Sequence, residues 1–299
     1  MATALRALLR SRTSSFWKLP SRAALTRLLG LGLLVVLVGG FTGGLTGCLS
    51  STELELKRAK NLVQQKKPAE AAILFEKVAA KIGDEPGSAE AALEAAKLYH
   101  YDLKRFELAV KNYRIVVAKS PNAPVRRDAQ LKIANLLFYD VQDFQAAIQE
   151  FSKLLELQHG VTEEIEWRSR IAKAYYYLGN YFQAAVEADR VLKIATGIDE
   201  EAVYQTYLLK ANIHVGAKEH EQAATVLMSM LSQFPDRSKR DSIALMLAVA
   251  YEEQRNFTKA IEVLESVREY DPRKSFFDEK IRSLRERQSQ QPGARGFRK

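Results

Sequence analysis

Side chains capable of acid–base or metal chemistry are few in this sequence and are spread along it. His220-Glu221 lacks the second histidine of a helical zinc-protease motif, and no glycine-rich phosphate loop is present. His100 and His159 also have no sequence-local set of metal ligands. Acidic clusters at 163–166 and 199–201 stand where helices would begin, and acids there favour the helix dipole. The sequence therefore predicts no enzymatic activity, no metal, no cofactor and no small-molecule substrate.

The single cysteine, Cys48, excludes an intrachain disulfide and any multi-cysteine metal site. It follows a basic leader and an apolar run from Leu28 to about Phe41. This order is typical of a secretory signal, and the run is short for a membrane span of about 20 apolar residues. Two alternatives remain open. One is an uncleaved anchor helix, which the glycines of the run disfavour, and the other is a mitochondrial presequence.

The positive charge of the chain is concentrated in the leader. The formal net charge is +9, but six of the basic residues lie among the first 47 positions, where there is no acidic residue. Without those six, 39 basic residues stand against 36 acidic ones. A body so nearly neutral has little electrostatic attraction for phosphate backbones, so we expect no nucleic-acid partner.

Beyond Cys48, two alanines recur in each of six consecutive segments. The second alanine of each pair returns at a nearly regular interval, at Ala71, Ala109, Ala147, Ala184, Ala223 and Ala260. The first precedes it by twelve or thirteen residues, at Ala59, Ala96, Ala134, Ala172, Ala211 and Ala248. Large residues follow the alanines at helical spacing. In such a pair of helices, the alanine allows the partner helix to approach closely, and the large residue fills the adjoining gap. The pattern predicts stacked pairs of helices.

The paired alanines, together with the spacing of Ala71 to Phe75 and Ala147 to Phe151, resemble tetratricopeptide repeats. The copies lie near residues 52–87, 88–123, 126–161, 163–198, 202–237 and 240–274. The resemblance implies an all-α, right-handed superhelical solenoid of about six helix pairs. The interval between successive copies exceeds the usual period of about 34 residues, which predicts longer turns between repeats, as at 120–124 and 233–237. We expect a capping helix at 275–288 and a disordered tail at 289–299.

The segment Leu45-Thr46-Gly47-Cys48 resembles the bacterial lipoprotein box. That resemblance implies a signal peptide at residues 1–47, lipid attachment at Cys48 with acyl chains such as palmitate, and a lipidated linker at 48–51. More than one acyl chain makes membrane attachment stable. Leu49 after the cysteine favours the outer membrane, by similarity to enterobacterial sorting rules. The long repeat period is similar to that of envelope proteins of the BamD and CpoB type.

In tetratricopeptide superhelices the first helix of each pair lines a concave groove. By that resemblance, the groove presents polar side chains at Lys60, Lys97, Asn135, Lys173 and Asn212. It also presents His100, Tyr101, Phe138, Tyr139, Tyr176, Tyr177 and Val215. Amides and ammonium groups can bind the carbonyls of an extended peptide, and rings can stack on its side chains. The alternative for Tyr176 and Tyr177 is packing between helices.

Together these features predict a membrane-anchored scaffold on the periplasmic side of the bacterial cell envelope, with proteins or extended peptides as partners. One alternative is a BamD-like component of outer-membrane protein assembly, although the second repeat ends in Lys119-Ser120-Pro121 rather than with an aromatic residue before the proline. Another is a mitochondrial repeat protein. A third is an envelope enzyme or peptidoglycan-binding protein, since a fold does not fix a function.

Overall fold

The structure, a computed structural model, describes residues 51–83 and 86–291. These residues form fourteen α-helices and one π-helical turn, without a β-strand in the described part of the chain. The helices are α1 (Ser51–Gln64), α2 (Pro68–Ile82), α3 (Pro86–Lys97), α4 (Phe106–Lys119), α5 (Ala123–Tyr139), α6 (Phe144–Leu155), α7 (Val161–Tyr177), α8 (Tyr181–Ala195), α9 (Glu200–Gly216), α10 (His220–Gln233), α11 (Pro235–Arg240), α12 (Ile243–Glu253), α13 (Phe257–Arg268) and α14 (Lys274–Ser289). The π-helical turn, Leu98–Asp102, continues α3. Cys48, the predicted signal peptide and residues 292–299 lie outside the described residues.

The helices pack in the order in which they follow one another in the chain. Each helix from α1 to α10 contacts the next, α12 packs on α10 and α13, and α14 packs on α13. Packing restricted to neighbours is typical of a solenoid. The pairs are α1–α2, α3–α4, α5–α6, α7–α8, α9–α10 and α12–α13. The prediction of an all-α array of six helix pairs with a further helix at its end is therefore confirmed.

The repeat alanines lie at the contacts between the helices. All twelve are buried, and none exposes more than 1% of its surface. The residue four positions after the second alanine fills the space beside it, and it is large in five of the six pairs: Phe75, Tyr113, Phe151, Leu227 and Leu264. A small residue opposite a large one lets the helices approach while leaving little void.

The turn inside each helix pair contains a residue with a left-handed backbone, five positions before the second alanine. This residue is a glycine in the fourth pair, Gly179, with a φ of 72°. The other five pairs have φ values between 52° and 61°, at Lys66, Lys104, Gln142, Lys218 and Arg255. A left-handed conformation costs a residue with a side chain about 1–2 kcal/mol. Five of the six turns are therefore strained, and the fourth is not.

The segment between the fifth and sixth pairs differs from the prediction. We expect a longer turn at 233–237, whereas the chain there forms the short helix α11. Pro235 begins it, because proline is compatible with the first helical position. The buried Ser238 hydroxyl donates a hydrogen bond to the Met230 carbonyl at 2.9 Å. This bond attaches α11 to the end of α10.

The last helix covers the sixth pair. Phe277, Ile281 and Leu284 of α14 are buried, whereas Phe276 is exposed. Lys280 and Arg287 of α14 both form ion pairs with Glu252 of α12. Ser289 ends the helix, and the Gln291 side chain donates a hydrogen bond to the Arg255 carbonyl at 2.9 Å. The end of the array therefore has an apolar contact surrounded by charged pairs.

The buried side chains form two large clusters that are separated at the fourth helix pair. One cluster extends from α1 to α7 and the other from α9 to α14. Two small clusters lie between them, around α8. In α8, the residue four positions after the second alanine is Ala188 rather than a large residue. The fourth pair therefore contributes less apolar volume than its neighbours.

Candidate functional site

Five exposed apolar side chains lie just before the turn inside five consecutive helix pairs. They are Val63, Tyr101, Tyr139, Tyr177 and Val215, they follow one another at a constant interval, and each lies near the end of the first helix of its pair. Their exposed fractions range from 42% to 56%. We call this set the apolar row. Of the residues predicted to line the groove, Tyr101, Tyr139, Tyr177 and Val215 belong to it.

The π-helical turn positions Tyr101. Thirteen residues separate Ala96 from Ala109, as in the third pair, whereas the other four pairs have twelve, and in the second pair this stretch includes the π-helical turn. The Tyr101 ring stacks on His100 with a centroid separation of 4.0 Å, and the Lys132 ammonium lies beside the Tyr101 hydroxyl. Burial lowers the pKa of His100, so this ring is neutral at pH 7. Tyr101 is therefore supported on one side while about half of it remains exposed.

An arginine braces Tyr139. The guanidinium carbon of Arg170 lies 5.7 Å from the Tyr139 ring centroid, and the Arg170 Nε donates a hydrogen bond to the hydroxyl at 3.1 Å. Glu166, one turn earlier on α7, holds Arg170 through an ion pair of 2.7 Å. A cation near an aromatic ring stabilises by about 0.5–1 kcal/mol at an exposed site. The ring is thus fixed across the junction between the third and fourth pairs.

Tyr177 lies on an aromatic cluster of the third pair. Its ring centroid is 4.8 Å from that of Phe144 and 6.2 Å from that of Phe138. The expectation that Phe138 lines the groove is wrong, because its ring turns inward, contacts Phe151 and is only 6% exposed. Tyr176 is half-buried and contacts Tyr181 at 6.0 Å, which agrees with packing between helices. The Tyr177 ring therefore packs against other aromatic rings and also remains exposed to solvent.

The predicted polar residues occupy the position after the first alanine of their pairs. Lys60 is exposed, whereas Lys97, Asn135, Lys173 and Asn212 are half-buried. Lys97 forms an ion pair with Glu94 at 2.7 Å. The Asn135 Oδ1 is buried and accepts no hydrogen bond. An unpaired buried acceptor lowers stability by about 1–3 kcal/mol, so the folded array does not depend on this amide.

The acidic clusters have structural partners. Glu163 accepts a hydrogen bond from the Gly160 amide at 2.9 Å, and this bond, followed by one from Arg127, lowers its pKa. Asp199 caps α9 by accepting from the Ala202 amide at 2.9 Å. The prediction that the acidic clusters begin helices is therefore confirmed. Among the described residues, no group of three or more His, Cys, Asp or Glu could hold a metal ion.

Sequence reasoning misses two parts of this surface. It leaves out Val63, although the constant interval of the row, counted back from Tyr101, could have identified it. It also leaves out the two cations, Lys132 and Arg170, that hold the rings of Tyr101 and Tyr139. Their role depends on contacts between different helix pairs, for which the sequence contains no signal.

No helix in the part of the chain that the structure describes is both long enough and apolar enough to cross a membrane. The basic and apolar leader before Cys48 lies outside those residues.

The sixth helix pair matches a known family. The model of the tetratricopeptide repeat matches residues 243–273, which include α12 and α13. The sixth copy predicted from the alanines, 240–274, contains this segment. The recognition of tetratricopeptide-like repeats is therefore confirmed. No curated protein sequence matches the chain.

Several solved structures are similar to this chain. The apo form of RapI has 15% sequence identity and a TM-score of 0.48, with 80% of this chain and 72% of that chain covered. YrrB, described as a TPR protein with an unusual peptide-binding site, has 14% identity and a TM-score of 0.46, covering 70% and 97%. PilW, described as a type IV pilus biogenesis factor, has 15% identity and a TM-score of 0.44, covering 79% and 98%.

Proposed function

We propose that this protein is a scaffold that binds an extended segment of a partner protein along the apolar row. The observation that carries the proposal is the exposure of an apolar side chain just before the turn in each of five consecutive helix pairs. Clustered exposed apolar surface favours a partner that covers it. A repeating contact suits an extended ligand, which can contact each repeat in turn. No catalytic step belongs to this proposal.

The supported tyrosines are suited to binding. Tyr101, Tyr139 and Tyr177 each have a contact that restricts the ring before a ligand arrives. A side chain that is already restricted loses little further conformational entropy on binding. Their faces can cover apolar side chains of the ligand, while the nearby Lys97 and Lys173 can donate hydrogen bonds to its backbone carbonyls.

Selection of peptides on the full-length chain tests this use of the row. Peptides from a random library should bind the wild type and lose at least tenfold in affinity for the double variant Tyr139→Ala/Tyr177→Ala. Phe182→Ala is the matched control, because Phe182 is 74% exposed and lies outside the row. Equal loss in the control and in the double variant would contradict the proposal.

A second pair of variants tests the polar positions. Asn135→Ala with Lys173→Ala should weaken the same peptides without lowering helical content or thermal stability, because neither side chain has a hydrogen-bond partner in the described chain. Unchanged peptide affinity would place the ligand backbone elsewhere on the surface.

The proposal includes a location. A lipid on Cys48 would hold the scaffold on the periplasmic side of a bacterial envelope, at the outer membrane, and confinement to a membrane raises its effective concentration near other membrane proteins. The order of basic, apolar and small residues before Cys48 supports this location. The intact mass of the membrane-extracted protein, compared with Cys48→Ser, is the test. Acyl mass on a chain that begins at Cys48 is the expected result.

The same mass measurement separates the alternatives. A leader removed at another position, without acyl mass, would favour a mitochondrial repeat protein and contradict the lipid anchor. A BamD-like role in outer-membrane assembly requires the acyl mass and also crosslinks to the assembly machine.

A further inference from the structure

A cavity of about 650 Å³ lies near the end of the array, away from the apolar row. It is lined by residues of α10, α11, the beginning of α12, the end of α13, the beginning of α14 and the turn between α13 and α14. Its apolar wall consists of Leu231, Ala244, Leu245, Val267, Tyr270 and Phe277. Ligand pockets typically have about 300–1,000 Å³ and a mostly apolar lining with a few polar groups. This cavity has the size and the lining of such a pocket.

The charged groups around this cavity are mostly basic. Lys239, Arg240 and Arg273 line it, together with one acid, Asp271. Asp271 is already paired, because the Nε and Nη2 atoms of Arg273 donate to its carboxylate at 2.9 and 2.7 Å. These bonds lower the pKa of Asp271 to about 2, so the pair is ionised at pH 7. Lys239 and Arg240 have no carboxylate partner in the described chain.

Two of the three basic groups lie beside aromatic rings. The Lys239 Nζ lies 5.3 Å from the centroid of the exposed Tyr270 ring. The Arg273 guanidinium lies 5.8 Å from the Phe277 ring and also donates to the Ser242 hydroxyl at 3.2 Å. The cavity therefore has an apolar interior directly beside fixed positive charge. Its complement is a molecule that joins an apolar group to an anion.

We propose that this cavity binds the C-terminal residue of a partner polypeptide. A large apolar side chain enters between Leu245 and Tyr270, and the free α-carboxylate lies against Lys239 and Arg240. The planar guanidinium of Arg240 can donate two parallel hydrogen bonds to a carboxylate. This site is separate from the apolar row and adds an anchoring point to the scaffold proposed above.

Charge also argues against this chain's own basic segments as the occupant. Residues 1–47 contain six basic residues and no acid, and Arg295, Arg298 and Lys299 follow the last described residue. The basic side of the cavity repels such segments. A separate polypeptide with an apolar C-terminal residue has no such conflict.

The test uses one labelled peptide in two forms. The full-length chain is titrated, by fluorescence polarisation, into N-terminally labelled Gly-Ser-Gly-Ser-Ala-Phe with either a free C-terminal carboxylate or a C-terminal amide. The free acid should bind at least tenfold more tightly, because charged hydrogen bonds to the carboxylate are absent in the amide. Its affinity should fall at least tenfold in Lys239→Gln/Arg240→Gln and severalfold in Tyr270→Ala.

Two further variants serve as controls. Lys57→Gln/Arg282→Gln removes the same charge from two exposed residues without an ion-pair partner in the described chain, and its affinity should remain within about twofold of the wild type. Tyr139→Ala/Tyr177→Ala should also retain the affinity, which separates this site from the apolar row.

Three outcomes would overturn the proposal. The first is equal affinity for the acid and the amide. The second is equal loss in the cavity variant and the charge control. The third is binding of octanoate that depends on Tyr270 while neither peptide binds, because this result would assign the cavity to a fatty acid.

Discussion

The third and fourth helix pairs, α5–α6 and α7–α8, have the same framework and opposite weaknesses. In the third pair, Phe151 fills the core and is fully buried, while the turn residue Gln142 has a strained φ of 59°. In the fourth pair, the filling residue is Ala188, and the turn residue Gly179 adopts its φ of 72° without the steric cost of a Cβ. One pair has a full core and a strained turn, and the other has a small core and a relaxed turn.

The difference indicates where the array should open first. Repeat stability is approximately a sum of terms from each repeat and each interface, so a weak interface is not compensated from a distance. The two large core clusters are separated at α8, where the apolar side chains are small. We expect local opening to begin there. Tyr139 and Tyr177 lie at the ends of α5 and α7, so a ligand along the apolar row would connect the two pairs.

The largest expected effect is the loss of the Phe151 ring. Phe151→Ala should lower the free energy of unfolding by about 3–5 kcal/mol, because it removes a buried aromatic ring and leaves a cavity. The ring also contacts Phe138, at 6.4 Å between centroids. Urea unfolding is the measurement, with the exposed Phe182→Ala as the control. A loss below about 1 kcal/mol would show that the third pair does not depend on its core as described.

A smaller loss is expected from the charged network of α8. Glu187 is 8% exposed and accepts from Arg168 at 3.3 Å and from Arg190 at 2.5 Å. Glu187→Ala should lower the free energy of unfolding by about 1–2 kcal/mol, because Arg168 loses one partner but keeps Glu164. Urea unfolding of Glu187→Ala and Glu187→Gln measures this effect. Glu187→Gln, which keeps an acceptor, should lose less, and equal losses would assign the effect to packing.

These contrasts also show how far the sequence predicts the fold. The alanines predict the helix pairs because close helix contact leaves room only for a small residue, and that requirement is local. Phe138 illustrates the limit: its place in the repeat predicts exposure, but contacts with Phe144 and Phe151 turn the ring inward. The cavity near Tyr270 is not predictable in this way, because its wall combines residues from α10, α12, α14 and a turn.

The relaxed turn of the fourth pair can be strained by a single Cβ. Gly179→Ala should lower the free energy of unfolding by about 1–2 kcal/mol, the cost of a left-handed backbone for a residue with a side chain. Apart from the local backbone, no atom lies within 4 Å of the added Cβ, so the cost comes from the left-handed backbone itself rather than from a clash with surrounding residues. Gly160→Ala is the control, since Gly160 has a φ of −87°. Thermal unfolding of both variants should separate them, and equal losses would contradict the interpretation.

The reverse substitution should relax the third turn. Gln142→Gly removes the cost of the left-handed side-chain residue but increases the entropy of the unfolded chain, so a net gain of about 0.5–1 kcal/mol is expected. Gln142 is exposed, and no side-chain hydrogen bond is lost. Hydrogen exchange should show slower exchange of amides in α5 and α6, with little change in α12 and α13, because repeats interact mainly with their neighbours. Faster exchange in α5 would mean that the free energy of strain relieved in this turn is smaller than the free-energy cost of the conformational entropy that the new glycine loses on folding.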